Sequence, residues 1–183
     1  HAFPDGRAYP CCFSLDKYPV GDLNKDSMET VFNGADMKQM RLNMLANKAS
    51  KQCTKCYDQE KSGFFSLRLS SNKHFGHNIG MIENTQADGS ADFVIKYWDI
   101  RFSNLCNLAC RSCGTWFSSN WYEDHKKLTG KPPEHAKIMR VGRSSNDIWE
   151  QMLEQFEHVE QFYFAGGEPI IMEEHYRILK ELD

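Results

Sequence analysis

The sequence predicts an α/β fold in its second half, with parallel strands joined by helices, preceded by a small α+β region. Three observations predict it. Residues 94–102 (Val94-Ile95-Lys96-Tyr97-Trp98-Asp99-Ile100-Arg101-Phe102) are rich in β-branched and aromatic side chains; an amphipathic helical pattern carrying Ile148, Met152, Leu153 and Phe156 spans Asn146 to His158; and a second short strand pattern follows at Phe162-Tyr163-Phe164-Ala165. Strand, helix, strand in that order is how parallel strands are connected, in a sheet or in a barrel. At 40% hydrophobic and 13% aromatic residues, the 183-residue chain has enough apolar surface to bury a core.

The first half opens with turn chemistry at Phe3-Pro4-Asp5-Gly6-Arg7, and Ala8-Tyr9-Pro10-Cys11-Cys12-Phe13 reads as an extended stretch after it. On a strand, Cys11 and Cys12 point to opposite faces. Asp26-x2-Glu29 has the form of a capping box ahead of Met28, Val31 and Phe32, and Asn33-Gly34 interrupts that helix. A second helix is predicted over about 36–48, where Met37, Met40, Leu42, Met44 and Leu45 give an apolar stripe of core-filling type. From Ser70 to Ala91 glycines and polar residues follow no clear period, so residues 71–92 are expected to be an irregular connection between domains 1–70 and 93–183. Gly114 to Lys127 reads as helical, Gly130-Lys131-Pro132-Pro133 ends it, and a last helical pattern runs through Tyr176 and Leu179. His74 and His77 fall in loop sequence, and Glu123 to Lys127 reads as a wet helix face.

The formal charge is −3, with Lys and Arg spread along the chain, so no basic stripe points to nucleic acid. No apolar run approaches the roughly 18 residues of a membrane span, and His1-Ala2-Phe3-Pro4-Asp5 lacks a signal-peptide pattern, so no membrane is expected and the cytoplasm is the expected location. The chain starts at His1 rather than Met and ends inside a helical pattern, so it is expected to be a piece of a longer protein.

Seven cysteines fall into three tight groups: Cys11 with Cys12, Cys53 with Cys56, and Cys106, Cys110 and Cys113. Clustered thiols outside a secretory context read as metal or cluster ligands before disulfides. Four thiolates normally close an iron-sulfur cluster, so a compact group of three leaves one iron open to an exogenous ligand, and an open position means chemistry. Zinc is the competing chemistry, with Cys110-x2-Cys113 and His125 as one candidate set and Cys11, Cys12, Cys53 and Cys56 as another. A ferredoxin-type site needs a fourth cysteine close by, and none follows Cys113.

Cys106-Asn107-Leu108-Ala109-Cys110-Arg111-Ser112-Cys113 resembles the Cys-x3-Cys-x2-Cys motif of the radical S-adenosylmethionine (SAM) superfamily, and like that motif it follows a predicted strand. Gly166-Gly167-Glu168-Pro169, after the next predicted strand, resembles the Gly-Gly-Glu motif of the same superfamily. The resemblance implies the first two β/α units of a partial (β/α)6 TIM-type barrel. It implies that Cys106, Cys110 and Cys113 hold a 4Fe-4S cluster whose fourth iron binds S-adenosylmethionine, and that reductive cleavage of this cofactor gives a 5′-deoxyadenosyl radical. Gly166, Gly167, Glu168 and Pro169 are then cofactor-binding, with the glycines allowing close backbone approach and the carboxylate facing the cofactor's ammonium group. An external electron donor such as flavodoxin or ferredoxin is implied as partner. This sequence departs from the motif at Ser112, a position that is often aromatic, and Trp116 or Phe117 is the substitute at hand.

The first half, from Pro4-Asp5-Gly6-Arg7-Ala8-Tyr9-Pro10-Cys11-Cys12 through Val20-Gly21-Asp22-Leu23 and Arg41 to Cys53-x2-Cys56, resembles the SPASM/twitch auxiliary-cluster module, with Asp22 where Asn is usual. The resemblance implies a second 4Fe-4S cluster on Cys11, Cys53 and Cys56, with Cys12 or a cysteine before residue 1 as fourth ligand. Relatives of this type act on peptides, so a peptide substrate is expected, with a small molecule as the alternative. A non-catalytic iron-sulfur or zinc scaffold, or an electron-transfer protein, is the rival expectation.

Overall fold

The computed structural model describes residues 1–142 and 145–183. In chain order the regular elements are β1 (Arg7–Ala8), β2 (Gly21–Asp22), α1 (Met28–Phe32), α2 (Ala35–Leu45), α3 (Thr54–Lys61), α4 (Leu67–Phe75), β3 (Tyr97–Trp98), α5 (Tyr122–Thr129), α6 (Ser145–Leu153), β4 (Gln161–Phe162) and α7 (Glu173–Glu181). Short 3₁₀ turns lie at Lys51–Cys53, Ser119–Trp121, Phe156–His158 and Pro169–Ile171, and a longer one at Gly76–Asn84. The strands form two separate ladders, β1 with β2 and β3 with β4. Two compact units result: His1–Arg7, Asp22–Ser27 and Val94–Asp183 make one, and Ala8–Gly21 and Met28–Phe93 make the other. Among the described residues no helix is long and apolar enough to cross a membrane.

In the first unit β3 and β4 pair in parallel, Tyr97 opposite Gln161 and Trp98 opposite Phe162, with α5 and α6 in the connection between them. The Trp98 and Phe162 rings stack at 6.5 Å, Phe156 meets Phe162 edge-on, and Trp149 meets Phe156 the same way. Ile148, Met152, Val141 and Ile178 are almost fully buried around them, each stabilising the unit by about 1.5–3 kcal/mol. Ala2 adds a parallel bridge beside Ile100, its N–H donating to Asp99 O and its carbonyl accepting from Arg101 N–H. Phe3 to Arg7 form the predicted turn, with Phe3 N–H donating to Arg7 O and Gly6 N–H to Phe3 O.

In the second unit α1 and α2 are separated at Asn33-Gly34, as the sequence predicts. Arg41 staples this region: its guanidinium lies 4.1 Å from the Phe32 ring centre and donates to Phe32 O, Asn33 Oδ1 and Gly89 O. Asn33 in turn holds the Ala91 backbone through both its amide groups. The apolar core is small, centred on Tyr9, Met28, Val31 and Met40.

Three expectations change. Cys11 and Cys12 lie in a turn and not on a strand, because Cys11 O accepts Ser14 N–H and Cys11 Sγ accepts Phe13 N–H. Residues 71–92 are not irregular throughout: helix runs almost continuously from Leu67 to Asn84. Ser66 caps it by accepting Leu69 N–H, while Arg68 and Ser66 both bind Glu60, and these local bonds outweigh the helix-breaking tendency of Gly76 and Gly80. Finally, helix does not begin at Gly114. Residues 114–118 are drawn into turns that serve the cysteine loop, and α5 starts only at Tyr122.

Candidate functional site

Between Phe102 and Ser119 the first unit has almost no regular structure, so its backbone groups find side-chain partners instead. Asn104, fully buried, is the chief of these. Its side-chain N–H groups donate to Thr115 O and Lys137 O, both at 3.1 Å, and its Oδ1 accepts Met139 N–H at 2.8 Å. Its own carbonyl accepts Ser119 N–H. One amide thereby closes the loop on itself and anchors it to residues 137–139. Ser103, equally buried, donates to Met139 O and accepts Leu105 N–H.

The loop so held presents three free thiols, of which Cys106 and Cys113 are half-buried and Cys110 is exposed. Cys106 N–H donates to Ser119 Oγ, Leu108 N–H donates to Cys106 Sγ at 3.3 Å, and Trp121 Nε1–H donates to Cys110 O at 3.0 Å. Burial pushes the Cys113 thiol up; the Gly114 backbone pulls it down; Cys106 and Cys110 add to the rise and Arg101 opposes it. These three thiols are thus electrostatic neighbours.

Gly166-Gly167-Glu168 packs directly on this loop. Gly167 N–H donates to Phe117 O at 3.0 Å, and Glu168 N–H donates to Leu105 O, next to Cys106, at 2.9 Å. Both glycines are left-handed, with φ of 79° and 55°. A side chain at Gly166 would run into the Arg101 side chain, and one at Gly167 into Leu105 O and Ser103 O, so close approach requires glycine at both. Glu168 Oε1 accepts Ile170 N–H at 3.2 Å, capping the short Pro169–Ile171 turn, where Pro169 takes the first position. Arg101, which lies against Gly166, has its Nε 3.6 Å from Oδ1 of Asp99, which is 1% exposed; burial pushes the Asp99 carboxyl up while Arg101 pulls it down. The Arg101 guanidinium lies 4.8 Å from the Phe117 ring centre. Trp116 is exposed, with Arg7 5.1 Å from its ring centre and the His135 ring 4.5 Å away.

The second unit holds the other thiols. Cys53 ends the Lys51–Cys53 turn, and Cys56 is buried in the first turn of α3. The Cys53 thiol is pushed up first by burial and then by Cys11 and Cys56, against the pull of Arg68. Cys11 and Cys56 thus lie within electrostatic reach of Cys53, while Cys12 is exposed. Among the described residues no three His, Cys, Asp or Glu side chains stand in metal-coordinating geometry. The donor chemistry nevertheless fits an iron-sulfur group: two sets of free thiols, and in each set a backbone N–H already directed at one sulfur. Asn104 and Ser103 carry no motif and were invisible as site residues in the sequence. Their only signal is a polar pair between an apolar strand and a cysteine.

Residues 3–57 match the family model of the SPASM iron-sulfur cluster-binding domain, under a third of the chain. The match takes in Cys11, Cys12, Cys53 and Cys56. No curated protein and no solved structure matches the chain.

Proposed function

We propose that the chain is the cluster-bearing part of a radical S-adenosylmethionine enzyme, with a twitch-like auxiliary domain ahead of a partial (β/α)6 barrel. The observation that most supports this reading is the seating of Gly166-Gly167-Glu168 on the three-cysteine loop through the Gly167 and Glu168 N–H groups. Two motifs 53 residues apart in sequence meet in one place. The match of residues 3–57 to a cluster-binding domain supports the second cluster.

Cys106, Cys110 and Cys113 would hold the 4Fe-4S cluster that binds S-adenosylmethionine, and Cys11, Cys53 and Cys56 the auxiliary one. A cluster held there would supply the electron for reductive cleavage of S-adenosylmethionine at its sulfur to C5′ bond, the source of a 5′-deoxyadenosyl radical for hydrogen abstraction from substrate. The chain's own residues do the positioning. Asn104 and Ser103 fix the loop that carries the three cysteines. Gly166 and Gly167 keep side chains out of the space beside it, and the second oxygen of Glu168 is an acceptor for the cofactor's ammonium group. A peptide is the substrate class in this reading, with flavodoxin or ferredoxin as electron donor.

The test uses the full-length protein, reconstituted anaerobically with iron and sulfide, reduced with dithionite and assayed chromatographically for 5′-deoxyadenosine. Replacing Cys106, Cys110 and Cys113 together with alanine abolishes the product; formation at the parent rate, or stoichiometric zinc in place of iron, overturns the reading. Glu168→Ala is milder. Loss of one charge-assisted hydrogen bond, about 1.5–3 kcal/mol, lowers cofactor affinity about tenfold to a hundredfold and leaves the cluster absorbance in place.

A further inference from the structure

The second unit contains a cleft of about 690 Å³ that no cysteine lines. Its walls are the end of α2 with the turn after it, Tyr57 of α3, α4, and the Gly76–Asn84 turn. Met44, Phe75, Ile79 and Ile82 give it an apolar lining, and Met44, Ile79 and Ile82 are exposed together there, Ile79 at 67%. Asn47 and Asn72 place carboxamides among them, each able to donate and accept, which is the pairing an extended backbone needs.

Charge decides what such a cleft would hold. No carboxylate lines it, whereas Lys48 and Arg68 do. Arg68 is neutralised by Glu60, but Lys48 has no carboxylate partner among the described residues. The turn that presents it is built in: Asn47 adopts φ 52°, and Lys48 N–H returns to Asn43 O at 2.7 Å, closing α2. The stretch from Met44 to Ile82 carries six Lys and Arg against two Asp and Glu, in a chain whose net charge is −3. A positive, amide-bearing, aliphatic cleft in an acidic chain selects an anionic ligand with apolar groups. Tyr57 is not a free stacking platform for a base, since the Arg68 guanidinium lies 5.3 Å from its ring centre, so aliphatic contact dominates and a peptide fits better than single-stranded nucleic acid.

We infer that this cleft is a docking site for an acidic peptide segment bearing leucine- or phenylalanine-like side chains, its carboxylates meeting Lys48 and its apolar side chains meeting Ile79 and Phe75. The inference does not depend on the chemistry of the cysteines.

Fluorescence anisotropy on the full chain tests it, with a labelled dodecapeptide alternating Glu with Leu and Phe, the same peptide with Lys for each Glu, and a labelled oligothymidylate of similar length. The acidic peptide binds at least about tenfold more tightly than either other probe, and added salt weakens it. Lys48→Glu and Ile79→Asp each weaken it about tenfold, whereas Lys126→Glu, on α5, does not. Both cleft positions are exposed, and an unchanged circular dichroism spectrum and melting temperature show that each variant is folded. Equal binding of the acidic and basic peptides, tighter binding of the oligothymidylate, parent-like binding by both cleft variants, or no binding of the acidic peptide overturns the inference.

Discussion

The two thiol sites are held in different ways. In the unit with Cys106, Cys110 and Cys113, twelve apolar side chains among the described residues are buried, and the loop hangs from this core by Asn104 and Ser103. In the unit with Cys11, Cys53 and Cys56 only six are, so that unit leans on polar staples: Arg41 on three acceptors, Glu60 between Arg68 and Ser66, and Lys38 on Asp88. A small core of this kind gains most from a cross-link, and the Cys11, Cys53 and Cys56 thiols offer ligands for one. The comparison teaches that the first site is positioned by the fold, whereas the second has the means to help make its fold.

The largest effect expected from this contrast is in metal content. On the proposed reading, Cys53→Ser removes only the cluster of the second unit, so iron and sulfide in the reconstituted protein fall by about half and cofactor cleavage persists, whereas Cys106→Ala removes the other cluster and cleavage with it. Loss of both clusters from either single change would break the comparison.

Next is Asn104→Ala. It strands Met139 N–H in a buried site and leaves the part-buried Thr115 O and Lys137 O to water, so urea denaturation registers a loss of about 1–3 kcal/mol. The loss exceeds that of any surface substitution in the same loop. A loss below about 1 kcal/mol would mean that the loop is held by something other than this amide.

The smallest effect is the acid response of the second unit. Glu60 lies below its ordinary value of 4.5 because Arg68 and Ser66 bind its charged form. The stabilisation is therefore fully present above the unfolded value and is lost as pH falls through the lower folded value. Glu60→Gln lacks that loss, so the difference in stability between parent and variant narrows on acidification below about pH 4.5. A difference that stays constant with pH would remove Glu60 from the set of staples.

Local chemistry made much of this legible. The cysteine spacing, the Asn33-Gly34 break, the strand patterns now paired as β3 and β4, and the turn at Phe3 to Arg7 all depend on residues close in sequence. The helical 67–84 stretch was obscured because glycine count and polarity outweighed a cap at Ser66 whose partner, Glu60, lies in the preceding helix. The turn at Cys11 was obscured because its sulfur and carbonyl accept bonds that no strand propensity anticipates.

The inventory follows from residue order alone: seven thiols in three groups, two adjacent glycines before a glutamate, and the alternation of strand and helix. Spacing and side-chain type are local properties, and propensity and ligand chemistry follow from them directly. Only the tertiary structure decided that Gly167 and Glu168 donate to the carbonyls of the cysteine loop, that Asn104 ties that loop to residues 137–139, and that Ala2 lies beside Ile100. Such contacts join residues tens of positions apart, and they form because buried backbone groups left without a helix or ladder partner must find one wherever the chain brings it.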